Sequence, residues 1–195
     1  LEKYWGRAWQ AKTEEEVVAE FTEFGIEAML VALDLTTTIE TPPCDNDYVA
    51  GMRDRHNTII QAWAAVEPAL GQAAIDEAKH AINDLNMIGF HFHPIMQHIR
   101  VDDKSFYPLW DELTQLKAPV MIDVGMTGMG AGMPGGLGAK TRNAHPASID
   151  ALAADFPDLT IIMSHPGYPW IDETTAVALH KGNVFWEMSG WSPKY

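Results

Sequence analysis

The chain alternates two kinds of segment. Thr13-Glu14-Glu15-Glu16 has the form of a capping box, with Thr13 at the N-cap and Glu16 three residues on. It opens a run in which Val17, Val18, Phe21 and Phe24 are apolar at helical spacing, and Gly25 ends it. The apolar run at 26–35 then reads as a buried strand. Further strands are predicted at 58–66, 88–94, 119–124, 159–165 and 183–189, and helices at 72–85, 106–116, 147–155 and 173–180. In the second helix Ile75, Ala78, Ile82 and Leu85 share one face.

Strands without polar alternation, separated by helices, predict a parallel α/β sheet covered on both faces. Two architectures fit, an open doubly wound sheet and a closed (β/α)8 TIM-like barrel. His93, Asp123, His165 and Ser189 each fall at the C-terminal end of a different strand. Polar residues spread over four strand ends suit a barrel mouth better than a single crevice. Only six strands are recognisable where a barrel has eight, so the expectation is one barrel domain over 1–195, incomplete at both ends. Leu1-Glu2-Lys3 without an initiator Met reads the same way, as a start inside a longer gene product. Residues 36–57, with Pro42-Pro43 and several charges, are expected to form a long loop on the active face.

Composition narrows the partners. With 27 acidic and 13 basic side chains the formal charge is −14, and no basic patch is apparent, which argues against nucleic acid. No apolar stretch is long enough to span a membrane. Cys44 is the single cysteine, which excludes an internal disulfide framework and a Cys-built zinc module and is compatible with a reducing cytosol.

Three strand ends carry candidate chemistry. His165 ends the apolar Ile161-Ile162-Met163-Ser164 and precedes Pro166-Gly167, so its ring can serve as a metal ligand, a proton acceptor or a core hydrogen-bonding group. Gly89-Phe90-His91-Phe92-His93-Pro94 alternates, which places both histidines on one face. His-x-His is a metal-binding spacing and also plain polar packing; His93, nearer the end, is the expected substrate contact. Asp123 follows Val120-Met121-Ile122 and needs a partner, a metal or an N-cap role to tolerate that setting. Residues 125–138 hold seven glycines without Walker A or Rossmann spacing. Such a segment is either a mobile loop or a backbone cradle for an anion, with Gly128 and Gly130 as substrate contacts. Arg142, after that loop, can clamp a carboxylate or stay solvated, and Trp170 and Trp191 can wall an aromatic substrate or pack in the core. A serine hydrolase is a weak rival, since no Gly-x-Ser-x-Gly elbow is present and Ser164 is expected on the face opposite His165.

Taken together, residues 89–94 (GFHFHP), 106–112 (FYPLWDE), 124–136 (VGMTGMGAGMPGG), 155–173 (DFPDLTIIMSHPGYPWIDE) and 183–195 (NVFWEMSGWSPKY) resemble the amidohydrolase-related superfamily. The branch is the one with aminocarboxymuconate-semialdehyde decarboxylase, the resorcylate decarboxylases and hydrolases of aromatic β-ketoacyl-CoA thioesters. The resemblance implies a distorted (β/α)8 barrel with one divalent metal, zinc or manganese. Its ligands are a first-strand His-x-His or Glu-x-His pair, a fifth-strand histidine and an eighth-strand aspartate. This chain begins after the first-strand pair and stops before the eighth-strand aspartate. It has Asp123 where the family has the fifth-strand histidine, and Met126 where the Gly-rich subgroup has another.

Asp123 remains a competent ligand, with His165 as metal neighbour and catalytic base or acid. Loss of three of four family ligands predicts no tightly bound metal if the chain is whole, and an altered site if it is a piece. Two absent strands favour the second case. The resemblance implies a metal-dependent hydrolase or decarboxylase acting on a carboxylated aromatic or β-ketoacyl-type small molecule. The rival is a non-catalytic barrel fragment or pseudoenzyme that has lost the metal. Family members often pair, which makes a homodimer the expected assembly.

Overall fold

The computed structural model describes residues 10–39 and 42–190. Among the described residues six strands appear: β1 (Ala28–Val31), β2 (Ile59–Trp63), β3 (Phe90–Phe92), β4 (Val120–Asp123), β5 (Ile161–Ser164) and β6 (Val184–Trp186). Between them run α1 (Glu14–Phe24) before β1, α2 (Thr36–Ile39) and α3 (Asn46–Arg55) after it, α4 (Gln72–Asn83), α5 (Tyr107–Gln115), α6 (Pro146–Asp155) and α7 (Ile171–His180). Every strand pair is parallel, and neighbours follow chain order. The β1–β2 pair joins the β3–β6 sheet through the parallel bridge Ala64–Phe90. A doubly wound sheet reverses its strand order part-way, whereas an unbroken progression is that of a barrel. Among the described residues β6 does not pair with β1, so the barrel is not closed.

Residues 36–57 differ from the loop expected of them, because α3 occupies their second half. Asp45 caps it, its side chain accepting the Tyr48 N–H at 2.7 Å, and Val49, Ala50 and Met52 bury one face. Pro42-Pro43 and the charged residues mask that short apolar stripe in the sequence. With α3 in place the β–α alternation is complete from β1 to β6.

The sheet has two unlike faces. Phe90, Phe92, Val120, Ile122, Ile161 and Met163 are fully buried beneath the helices. Trp110 of α5 meets Phe92 edge-on at 4.9 Å and donates its ring N–H to the Val101 carbonyl at 2.9 Å. Strand alternation turns His91, Met121, Asp123, Ile162 and Phe185 to the other face, the barrel interior. Apolar residues there stay open on the edge strands among the described residues: Phe185 of β6 is 59% exposed and Met29 of β1 56%.

α1 buries none of its residues and is held instead by polar contacts. Glu14 accepts from Arg55 Nε and Nη2, from the Tyr48 hydroxyl, and meets the His56 ring. The Arg55 guanidinium holds the Glu14 carboxyl down at about 2. The capping box at Thr13 and Glu16 is present with both reciprocal hydrogen bonds.

Candidate active site

The ends of β3 and β5 converge on Asp123, the last residue of β4. Its Oδ1 meets His91 Nε2 at 3.0 Å and His165 Nε2 at 3.6 Å, and its Oδ2 meets His93 Nε2 at 3.3 Å. His91 lies on β3 and His93 just beyond it, two residues apart on one face, as the alternating Phe and His pattern predicts. His165 arrives differently. Ser164, the residue before it, is the register partner of Asp123 and shares its face, so strict alternation would turn His165 away. A left-handed backbone at His165 (φ 73°) brings its ring back over the sheet end.

The second ring nitrogen of each imidazole decides its role. His165 Nδ1 lies 2.9 Å from the Ser189 carbonyl, an acceptor, so Nδ1 carries a proton and Nε2 faces Asp123. His93 Nδ1 accepts the Met96 N–H at 3.3 Å, which leaves a proton on Nε2 toward Asp123. His91 Nδ1 is buried without a partner among the described residues, as is Ser164 Oγ.

The Asp123 carboxylate raises the His165 imidazole to about 9 against the opposing effect of burial. Burial opposes ionisation of Asp123, yet His165 and His91 outweigh it and keep the carboxyl well below its usual range. His93 is pushed down by burial. The neutral-pH site is therefore an ionised carboxylate with an imidazolium at His165.

Two residues that the sequence reading passed over support this arrangement. Glu187, just past β6, accepts the His165 main-chain N–H at 3.0 Å and the Ser189 N–H at 2.7 Å, which fixes the His165 backbone and the residue whose carbonyl its ring meets. A lone carboxylate at a strand end in Trp186-Glu187-Met188-Ser189 is its only sequence signal. Gln97 accepts the His93 N–H at 3.0 Å and donates to the Val66 carbonyl at 2.9 Å, linking the ends of β2 and β3.

The remaining candidates lie around this centre. Gly125 and Gly167 bring the loops after β4 and β5 into backbone contact; a Cβ on Gly125 would stand 2.6 Å from the Gly167 carbonyl carbon. Met126 N–H donates to the Tyr168 carbonyl across the same seam. Trp170 is half-buried, its ring 4.7 Å from that of His145. Gly130 is buried by the loop's own fold, since a Cβ there would meet the Gly136 carbonyl oxygen at 2.0 Å, while Gly128 is half-open. Arg142 is exposed on the turn Thr141–Ala144, outside the Asp123 cluster. Trp191 lies outside the described residues.

The donor chemistry gives a test for a divalent metal. Asp123 is an ionised donor, whereas His165, with its Nδ1 proton anchored on a carbonyl, carries a second proton on Nε2 at neutral pH. His93 has its proton on the nitrogen a metal would need. No group of three or more His, Cys, Asp or Glu side chains among the described residues is arranged to hold an ion. These residues do not complete a metal site.

The family model described as Amidohydrolase matches residues 9–195. The chain belongs to the amidohydrolase family. Among solved structures this amidohydrolase is similar to an uncharacterized TIM-barrel protein from Bordetella bronchiseptica, at TM-score 0.69 and 24% identity, covering 89% of this chain and 58% of that one. A dihydroxybenzoic acid decarboxylase from a Polaromonas species, with bound manganese and the inhibitor 2-nitroresorcinol, matches at TM-score 0.55 and 20% identity over 80% of this chain and 55% of its own. The 5-carboxyvanillate decarboxylase of Sphingomonas paucimobilis matches at TM-score 0.61 and 17% identity over 80% and 52%. The amidohydrolase chain thus spans a little over half the length of these structures, and the likeness is one of fold. No curated protein matches it. No helix among the described residues is long and apolar enough to cross a membrane.

Proposed function

We propose that this barrel carries the proton-transfer centre of a decarboxylase for carboxylated aromatic acids. The observation that carries the reading is the His165 ring, with Nδ1 anchored on the Ser189 carbonyl and Nε2 held at the strand ends beside Asp123. Decarboxylation of an aromatic acid needs a proton donor at the carbon that bears the carboxylate. His165 Nε2–H supplies that proton. The carbon–carbon bond then breaks, its electron pair returns to the ring, carbon dioxide leaves, and His165 regains a proton from water. Asp123 stabilises the imidazolium before transfer and orients it throughout. Trp170 offers an aromatic wall beside the loops, and Arg142 and the open backbone at Gly128 are the candidates for the substrate's anionic groups.

The two decarboxylases among the similar folds act in support, the Polaromonas enzyme with manganese bound. The donors among the described residues do not complete such a site. The test is turnover of 2,6-dihydroxybenzoate and 5-carboxyvanillate, with and without added manganese, followed by ultraviolet loss of substrate and by carbon dioxide release. Turnover that His165→Ala abolishes supports the reading. Hydrolysis of an aromatic thioester without carbon dioxide release replaces decarboxylation by the hydrolase chemistry of the same family. Binding without turnover in both metal conditions overturns the catalytic reading in favour of a ligand-binding barrel, which the engagement of both Asp123 oxygens by imidazoles favours.

A further inference from the structure

A histidine has four groups that make hydrogen bonds, and the end of β6 takes three of those on His165. The Trp186 indole N–H donates to the His165 carbonyl at 2.7 Å. The Glu187 carboxylate accepts the His165 main-chain N–H at 3.0 Å, and the Ser189 carbonyl meets ring Nδ1 at 2.9 Å. Only Nε2, the nitrogen beside Asp123, is left for a reacting molecule.

Backbone shape completes this seat. Gly190 lies directly against the ring: a Cβ there would stand 2.6 Å from His165 Nδ1 and 2.9 Å from Cε1. The His165 backbone is itself left-handed, and a residue with a side chain keeps such a conformation where its surroundings over-determine it. The stretch 186–190 supplies those surroundings.

Glu187 ties the stretch together. Its own main-chain N–H is fixed on the Met163 carbonyl of β5 at 3.0 Å. From there Oε1 accepts the His165 main-chain N–H and the Ser189 hydroxyl, and Oε2 accepts the Ser189 N–H. One carboxylate thereby governs both the dihedral that turns the ring over the sheet end and the carbonyl that holds Nδ1. It also stands 4.0 Å from Nδ1, so the ring lies between two carboxylates, Glu187 at one nitrogen and Asp123 at the other. We propose that Glu187 is a positioning residue of the proton-transfer centre, which aims His165 through its backbone and through Ser189 and leaves Nε2 alone to face substrate. This role rests on His165 as the proton donor proposed above, and it names the residue that orients that donor.

Glu187→Gln fills the same space but replaces one acceptor oxygen by an amino group, so it cannot serve the His165 and Ser189 N–H groups together. In the full chain without substrate, the Nδ1 proton of His165 should give a downfield proton NMR signal, assigned by its loss in His165→Gln. Glu187→Gln should lose that signal in a protein that still melts cooperatively. With 2,6-dihydroxybenzoate its kcat should fall about tenfold or more while KM changes little, the pattern of a misaimed reacting group. Glu187→Asp keeps the charge and both oxygens but draws them back by one carbon; it should weaken signal and rate in part, and it serves if the glutamine variant does not fold. Met188→Ala, at an exposed side chain in the same stretch, should keep both. A full signal with undiminished kcat in either Glu187 variant, a change confined to KM, or an equal loss in Met188→Ala overturns the assignment. Because the signal is read without substrate, a chain that shows it and loses it in Glu187→Gln, yet never decarboxylates, supports the positioning and removes only the decarboxylase reading.

Discussion

His165 Nε2 stands 3.6 Å from Asp123 Oδ1, beyond a good hydrogen bond yet close enough for the carboxylate to govern the charge of the ring. The raised value of about 9 means that the folded state holds this proton more tightly than the unfolded chain. Its stabilising contribution is whole below the ordinary imidazole range and is lost as the pH climbs through 9. Asp123→Asn should therefore return His165 to the ordinary range in an NMR titration of its ring protons. The same variant should flatten the decline in melting temperature between about pH 6.5 and 9. A ring that still titrates near 9 in the variant would contradict this account.

Glu67 gives the same sign in a lower pH window. Burial lifts its carboxyl from the ordinary range to about 7. The folded state then binds the proton more tightly than the unfolded chain, so stability falls as the pH rises toward 7 and stays low above it. Glu67→Gln should stabilise the protein at pH 8 by up to about 3 kcal/mol and change little at pH 4. Urea unfolding at the two pH values measures the difference.

Phe92→Ala removes a fully buried ring from beneath α5 and leaves Trp110 without its edge-on neighbour. The expected cost is about 3–5 kcal/mol. Phe92→Leu, which keeps most of the volume, should cost clearly less in the same denaturation experiment.

Gln97→Ala strips the His93 N–H and the Val66 carbonyl of a buried partner at once. A destabilisation of about 2 kcal/mol is expected from the unpaired groups. His93 is also released from one constraint, so the variant should lose turnover beyond what its folded fraction explains. Circular dichroism and activity, measured on the same preparation, separate the two effects.

The six strands were legible because their outward and inward residues are both largely apolar, and that signal survives without any knowledge of the tertiary structure. The grouping of His91, His93 and Asp123 was legible from alternation and strand ends. Three features were hidden for identifiable reasons. α3 has only a short apolar stripe beside Pro42-Pro43. His165 breaks alternation through a left-handed dihedral that no periodicity encodes. Glu187 and Gln97 act through main-chain groups of residues distant in sequence, and local pattern carries no trace of such contacts.

The seam at Gly125 and Gly167 ties the imidazolium and its carboxylate to a single mechanical element. With main chain pressed on main chain, no side chain is available to absorb a shift on either side. Displacing the loop after β4 drags the peptide that follows His165, and the reverse holds equally. Distance between acid and carboxylate thus becomes a property of two crossing backbones, and methylating the crossing by Gly→Ala would detune both partners in one stroke.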